Sequence, residues 1–502
     1  MKAFPGLAAT RDRGALAAGV LPALALFTVL SVGGYLRGPT LDASVFMQIA
    51  ELVRGGGMPY RDVFDHKPPG IFLTEAWVGT LFTWIHPWLR AWSITWVAGL
   101  GTLAIVHALL ARVFGRRTSM LATFGIVPIL AGYPFTVGGG HTESLAVLFV
   151  AAGFGVAIVA EGRMRTAVFL GVLLAAGLAT SLQVLAGAVA SAVVLQARWR
   201  SPAAALGIAI GGAMVAVPLL VWIVGSGAWG AAFDQLIVYN AAYAAQNRGF
   251  LGAAPWVLAL ATVTAAPSLV AAAIGIARVR RPSVGGWLGA GALIWVVAWI
   301  GYLMWQGRLV GHHVIAVTPA FAVLGALTLE RLGTPSRGTT SSLRAHAALM
   351  VAIAALGLAG LGIPGQPGRP RQLEVAVPLI VSAAAERETA TLFVWGNEPS
   401  IYLQTALQPA SRYIYMLPLE LPGYASAALI DALVLDWEQR PPDVIVDVSR
   451  NPDGVQGPAL VEGDGPASRA DGLGPLRAFV LERYRVHGTV DGWVVYRLRV
   501  RT

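Results

Sequence analysis

The sequence predicts an all-α polytopic membrane protein with a small α/β domain at its C-terminus, and three observations carry that expectation. The 502 residues are 56% hydrophobic and only 12% charged, too apolar for a soluble globule and long enough for a bundle of spans plus one extramembrane domain. Most basic residues outside the last third stand in short clusters between apolar stretches, as topology signals do. From Pro364 onward the continuous apolar runs give way to alternating strand-like and helix-like segments.

The apolar run from about Gly14 to Tyr35 is of spanning length and lacks a clear small-x-small cleavage site, so it is expected to stay as the first helix. Lys2, Arg11 and Arg13 precede it. Arg112, Arg116 and Arg117, then Arg163 and Arg165, Arg198 and Arg200, Arg278 to Arg281, and Arg331 to Arg344 follow at intervals that leave room for two spans each. With ~20 apolar residues per span, roughly eleven helices result. The basic loops are cytoplasmic by the positive-inside rule, which puts the N-terminus in the cytoplasm and the C-terminal domain outside, in a multi-pass protein of the cell inner (plasma) membrane. The net charge of +10 is thereby read as orientation, with the lipid bilayer as partner and no nucleic acid. The lack of cysteine excludes disulfides, thiolate metal sites and cysteine nucleophiles.

Counting the apolar run Ile71 to Ile85 as a span would move the Arg112 to Arg117 cluster to the outside. It is therefore expected to lie in the outer interface, anchored by Trp77, Trp84 and Trp88. That assignment creates a long outer loop, residues 37–90. Within it "LDASVFMQIAELVRGGG" has Val45, Phe46, Ile49, Leu52 and Val53 at helical spacing and is stopped by Gly55 to Gly57. Asp42 opens this helix, as an N-cap or as a functional carboxylate. Next, "YRDVFDHKPPG" gathers Arg61, Asp62, Asp65, His66 and Lys67 into a few residues. Pro68 and Pro69 start the interfacial helix and restrict the backbone before them. Lys67 there suits a prenyl phosphate, or snorkels to head groups.

The other outer loops collect polar groups on the same side. "GGGHTES" brings His141 and Glu143, "FDQLIVYNAAYAAQNRGF" brings Asp234, Tyr239, Asn240, Tyr243, Gln246, Asn247 and Arg248, and "GRLVGHH" brings Arg308, His312 and His313. Ionisable residues near the bilayer mark functional sites. Carboxylates with arginines and histidines nearby suit a reaction in which a base deprotonates a hydroxyl while cations hold a phosphate leaving group. His141, His312 and His313 either help bind a divalent metal ion or act as hydrogen-bonding groups. No Walker loop or glycine-rich dinucleotide motif competes.

An aspartate opening an interfacial helix, "PYRDVFDHKPPG", the "HTES" glutamate, "GRLVGHH" leading into "TPAFAVLGAL", and "VWGNEPSIYLQTALQPASRYIY" in the tail together resemble the glycosyltransferase family 39-like membrane enzymes of GT-C fold. The resemblance covers nearly the whole chain, and "DHKPPG" and "PASRYIY" are its most specific parts. It implies transfer of a sugar from a polyprenyl-phosphate carrier to a lipid, glycan or protein acceptor on the extracytoplasmic side, with inversion; family members include protein mannosyltransferases and lipid A aminoarabinose transferases. By position, Asp42 matches the first-loop aspartate regarded as catalytic base or acceptor binder. Glu143 matches the acidic residue of the second outer loop, and Lys67 the lysine near the carrier phosphate. Many relatives have an Asp-Glu pair where this chain has Asp42 and Ala43, which leaves the acceptor class and metal dependence open. Around these residues, Arg61, Arg248 and Arg308 are assigned to the donor phosphate, and Asp65, His66, His141, Tyr243, His312 and His313 to substrate.

The chain thus divides at residue 363 into a transmembrane glycosyltransferase domain and an extracytoplasmic domain, residues 364–502, joined through "GIPGQPGRPR". In the second, "TLFVWG", "RYIYMLP", "DVIVDV" and "WVVYRLRV" read as strands and "LRAFVLERYR" as helix. A flippase or transporter of lipid-linked sugars, and a non-catalytic cell-envelope assembly protein, are the competing classes. Transporters put polar residues at mid-membrane on broken helices, whereas here Gln183 and Glu75 are minor exceptions among nearly charge-free spans.

Overall fold

A computed structural model of the chain describes residues 13–136, 138–159, 161–246, 284–306, 310–332, 339–359, 369–385, 389–451, 454–455, 459–461 and 473–499. Its first part is helical throughout: α1 (Arg13–Tyr35), α2 (Leu41–Arg54), α3 (Gly70–Leu81), α4 (Pro87–Val113), α5 (Arg116–Gly125), α6 (Val127–Ala131), α7 (Tyr133–Thr136), α8 (Thr142–Val159), α9 (Met164–Thr180), α10 (Leu185–Trp199) and α11 (Pro202–Gly225). Among the described residues, six helical stretches are long and apolar enough to cross a membrane: Pro87–Val113, Thr142–Val159, Leu182–Trp199, Pro202–Gly225, Gly286–Gln306 and Gly311–Glu330. The chain is a multi-pass membrane protein. Small residues let its helices meet backbone to backbone, as they do in lipid; a Cβ on Gly211 of α11 would stand 1.9 Å from the Val168 carbonyl oxygen of α9.

Cross-contacts order the two ends of the bundle. At one end Trp88 Nε1 donates to the Tyr35 carbonyl at 3.1 Å and Gln183 Nε2 to Gln306 Oε1 at 3.1 Å. At the other, Thr118 Oγ1 donates to Glu330 Oε2 at 2.9 Å and Arg198 to the Ala157 carbonyl. The Arg112 to Arg117 and Arg198 to Arg200 clusters thus share an end opposite the polar outer loops.

The apolar stretch after Arg117 is broken into α5, α6 and α7; Pro128, at the start of α6, has no amide proton with which to continue the helix before it. Two local expectations are corrected. Trp77 and Trp84 are exposed, at 65% and 75%, as interfacial anchors should be, but Trp88 is buried; its ring stacks on Tyr35 with centroids 5.7 Å apart, so it ties α4 to α1. The "RYIYMLP" run is no strand. Ile414, Tyr415 and Met416 are buried, yet the segment spends its backbone groups on irregular partners: the Arg412 carbonyl accepts from Phe64 N, and Met416 N donates to the Gly396 carbonyl.

The stretch Gly70–Leu81 is a 12-residue helix, too short to span ~30 Å of hydrocarbon. It starts directly behind Pro68 and Pro69, and Gly70 is required there: a Cβ would lie 2.6 Å from the Ala179 carbonyl oxygen at the end of α9.

The C-terminal part is a five-stranded sheet of order β2-β1-β3-β7-β6, formed by β1 (Thr391–Trp395), β2 (Gln408–Pro409), β3 (Val444–Asp447), β6 (Tyr484–Val490) and β7 (Trp493–Leu498); β4 (Arg450–Asn451) and β5 (Gly454–Val455) pair separately. β1 runs parallel to β2 and β3, while β7 is antiparallel to β3 and β6. Alternation along the strands serves two cores. Phe393, Trp395 and Ile445 face Trp437 and Phe479 of the helices Ala427–Gln439 and Gly474–Arg483. Leu392, Val394, Val444 and Val446 face Ala376 and Ile380 of the helix Arg369–Ala384, in a core that continues into Phe46, Ile49 and Phe72 of α2 and α3. The sheet is thereby seated on the long outer loop.

Candidate active site

α2 is capped by Thr40, whose Oγ1 accepts from Ala43 N at 3.0 Å. Asp42 is therefore not the N-cap, and its carboxylate is free for other work in the first turn, where the helix dipole favours an anion. The side chain keeps 37% of its surface open. Burial pushes its carboxyl up, but Lys67, then His312, His141 and His66, outweigh that and bring it down to about 2.

His141 stands 3.9 Å from Asp42 Oδ2 through Nδ1, too far for a hydrogen bond. Its Nε2 lies 2.7 Å from the Thr136 carbonyl oxygen, an oxygen that can only accept. Nε2 accordingly carries a proton, and Nδ1, buried without a hydrogen-bond partner, faces Asp42. His312 stacks on His141 with centroids 4.5 Å apart. One ligand atom each from Asp42, His141 and His312 lie within 4.8 Å of one another. A carboxylate and two imidazoles, one with its tautomer fixed by a backbone carbonyl, fit a divalent cation. His313 is buried beside them, its ring 4.8 Å from that of His312 and its carbonyl accepting from Trp299 Nε1 at 3.2 Å.

Lys67 enters from the loop after α2. Burial alone would lower its pKa, but Glu143, Asp42 and Asp65 around it raise it, so the ammonium stays charged. Glu143, buried in the first turn of α8, accepts from Ser181 Oγ at 3.2 Å. Asp65 is 2% exposed and its Oδ1 accepts from Lys67 N at 2.7 Å. Burial dominates there, and its carboxyl is pushed up to about 7 against the pull of Lys67. The His66 ring sits 5.1 Å from Tyr239 and 5.8 Å from Tyr243, and the two tyrosines stack at 6.0 Å.

The structure thus gathers Asp42, Asp65, His66, Lys67, His141, Glu143 and His312 in one place, with Tyr243 and His313 at its margin. Arg61 is spent elsewhere: exposed, it pairs with Asp62 at 2.7 Å and donates to the Ser226 carbonyl at 2.8 Å. Arg248 and Arg308 lie outside the described residues. Sequence reasoning passed over Thr40, Ser181 and Gln235. Thr40 was legible as the residue before the helical run; Gln235 carried no signal, because its role depends on a π-helical turn, Asp234–Tyr239.

No protein-family model and no curated protein matches the chain. Solved structures do. ArnT from Cupriavidus metallidurans bound to undecaprenyl phosphate superimposes with a TM-score of 0.66 at 14% identity, covering 97% of this chain and 98% of that one. The apo state of the same protein gives 0.61 at 13% identity, with 94% and 97% covered. AglB from Archaeoglobus fulgidus, an archaeal oligosaccharyltransferase in complex with an inhibitory peptide and a dolichol-phosphate, gives 0.51 at 13% identity, with 85% and 69% covered. The chain has the fold of these GT-C proteins.

Proposed function

We propose that the chain is a membrane glycosyltransferase that moves a sugar from a polyprenyl-phosphate donor to a lipid, glycan or protein acceptor, with inversion at the anomeric carbon. The observation that carries this is the convergence of a charged, half-buried lysine with an ionised, part-exposed aspartate at the end of the bundle opposite the arginine clusters. The arginine end faces the cytoplasm by the positive-inside rule, so the site opens on the extracytoplasmic face, as does the C-terminal domain, in a topology of roughly eleven spans.

The chemistry follows from the side chains. Lys67 balances the prenyl phosphate, whose charge grows as the bond from its oxygen to the sugar breaks. The acceptor oxygen bonds to the anomeric carbon from the opposite face, the electron pair of the broken bond goes to the phosphate, and the acceptor proton goes to Asp42. A carboxyl held near 2 is a weak base at neutral pH. Asp42 therefore orients the hydroxyl and takes its proton late, once bond formation has made that oxygen acidic. Asp42, His141 and His312 would hold a divalent cation, which supplies Lewis acidity toward a bound oxygen. Glu143, fixed by Ser181 and facing Lys67, keeps the ammonium in place.

The test uses the purified full chain in proteoliposomes, with polyprenyl-phosphate sugars and a membrane extract as acceptor source. Free polyprenyl phosphate and a glycosylated product are expected. Movement of the intact sugar lipid across the bilayer without cleavage would contradict the proposal and favour a transporter.

A further inference from the structure

A lysine side chain is long and flexible, so the place of its ammonium is set by how firmly its backbone is held. The loop carrying Lys67 is held in an unusual way. Tyr60 adopts φ 69, a left-handed conformation costly for a bulky residue, which persists only where its surroundings impose it. Its carbonyl accepts both from Gln235 Nε2 at 2.7 Å and from Arg412 Nη2 at 2.7 Å. Its hydroxyl donates to the Lys67 carbonyl at 2.9 Å.

Gln235 is completely buried, and its other end accepts from Asp65 N at 2.9 Å. One side chain thus bridges the two arms of the loop. Arg412 adds a second grip, since its carbonyl accepts from Phe64 N at 2.7 Å. Asp65 passes the constraint on through Lys67 N at 2.7 Å. Gln235 stands in the π-helical turn Asp234–Tyr239, a distortion frequent at functional sites. Arg412 belongs to the C-terminal domain, far away in sequence.

We propose that Gln235 and Arg412 are positioning residues that set Lys67 against the donor phosphate, so that the C-terminal domain takes part in donor binding. Lys67 as phosphate holder, proposed above, is the premise. Through Tyr60 and Asp65 the two residues act on the backbone that carries Lys67.

The experiment is a double-mutant cycle on the full chain in nanodiscs, with undecaprenyl phosphate as the probe and its Kd and the melting temperature as readouts. Lys67→Ala tests the premise alone and should weaken binding about a hundredfold; unchanged binding removes Lys67 as the phosphate holder and the proposal with it. With the premise upheld, Gln235→Leu should weaken binding roughly tenfold and Arg412→Lys about threefold, and neither should weaken it further in the Lys67→Ala background. Equal weakening in both backgrounds, or a lowered melting temperature with unchanged Kd, overturns the positioning role. Should Gln235→Leu fail to fold, Arg412→Lys, which keeps a cation and a donor, decides between the same two outcomes.

Discussion

Asp42 in the first turn of α2 and Asp65 in the loop behind it lie at the same end of the bundle, both sense Lys67, and they behave oppositely. Burial raises both carboxyls. At Asp42 it is overcome by Lys67 and three histidines, leaving the group at about 2. At Asp65 burial prevails, the nearby charge of Asp42 adds to it, and the group rests at about 7. Asp65 is the deeper of the two, 2% exposed against 37% for the Asp42 side chain, and Asp42 has more cationic neighbours; the two differences together decide which carboxyl stands as an anion and which shares a proton. In the proposed function Asp42 ligates a cation and orients a hydroxyl, while Asp65 braces the loop through Lys67 N.

The contrast can be broken first at Lys67, the cation both aspartates share. Lys67→Ala should cost about 3 kcal/mol of donor affinity, visible as a raised KM for the lipid-linked sugar. Arginine should restore only part of it, because a planar guanidinium addresses phosphate differently from a compact ammonium. Unchanged donor KM in Lys67→Ala would leave the lysine an anchor to head groups.

Asp65 offers a test with a definite sign. A folded-state pKa raised from 3.8 to about 7 means that this group's contribution to stability is fully present below the unfolded value and is lost as pH rises through about 7. Asp65→Asn removes that loss. The variant should melt above the wild type at pH ~8, by on the order of 2 kcal/mol, with the advantage shrinking toward pH ~4. A melting temperature with the same pH slope in both proteins would show that Asp65 is not held neutral. Asp42 has the reverse sign, so its stabilisation is present above its unfolded value and is lost only as pH falls through about 2.

The smallest effect belongs to Thr40. With the helix cap assigned to it, Thr40→Ala should lower stability by ~1 kcal/mol, measured by thermal melting, with turnover reduced only modestly. A turnover loss as large as that of an Asp42 substitution would mean that the cap and the carboxylate act as one unit.

Much of this was legible in the sequence, for physical reasons that can be named. The apolar runs, the arginine clusters and the strands Thr391–Trp395, Val444–Asp447 and Trp493–Leu498 follow from period and composition, which act locally. So does the helix Gly70–Leu81, whose start is fixed by Pro68 and Pro69. The misses share a different cause. Trp88 was assigned to the interface because tryptophan is common there, but its neighbour is Tyr35, fifty-three positions away. The "RYIYMLP" run has strand composition, yet its backbone partners are Phe64 and Gly396. Gln235 was passed over because its two bonds to Tyr60 and Asp65 exist only once distant segments are folded together. Composition locates polar chemistry; it does not say which residue grips which.

The most direct measurement sets the two aspartates against each other in one assay, the release of polyprenyl phosphate from the lipid-linked sugar that the wild-type chain turns over. Asp42→Asn should reduce turnover at least a hundredfold, the lower bound for loss of a group that acts in proton transfer, with the protein still folded and donor KM little changed. Asp65→Asn should stay within a few-fold of wild type. Near-normal turnover in Asp42→Asn, or the larger loss falling on Asp65→Asn, would contradict the assignment of the reacting carboxylate to the first turn of α2.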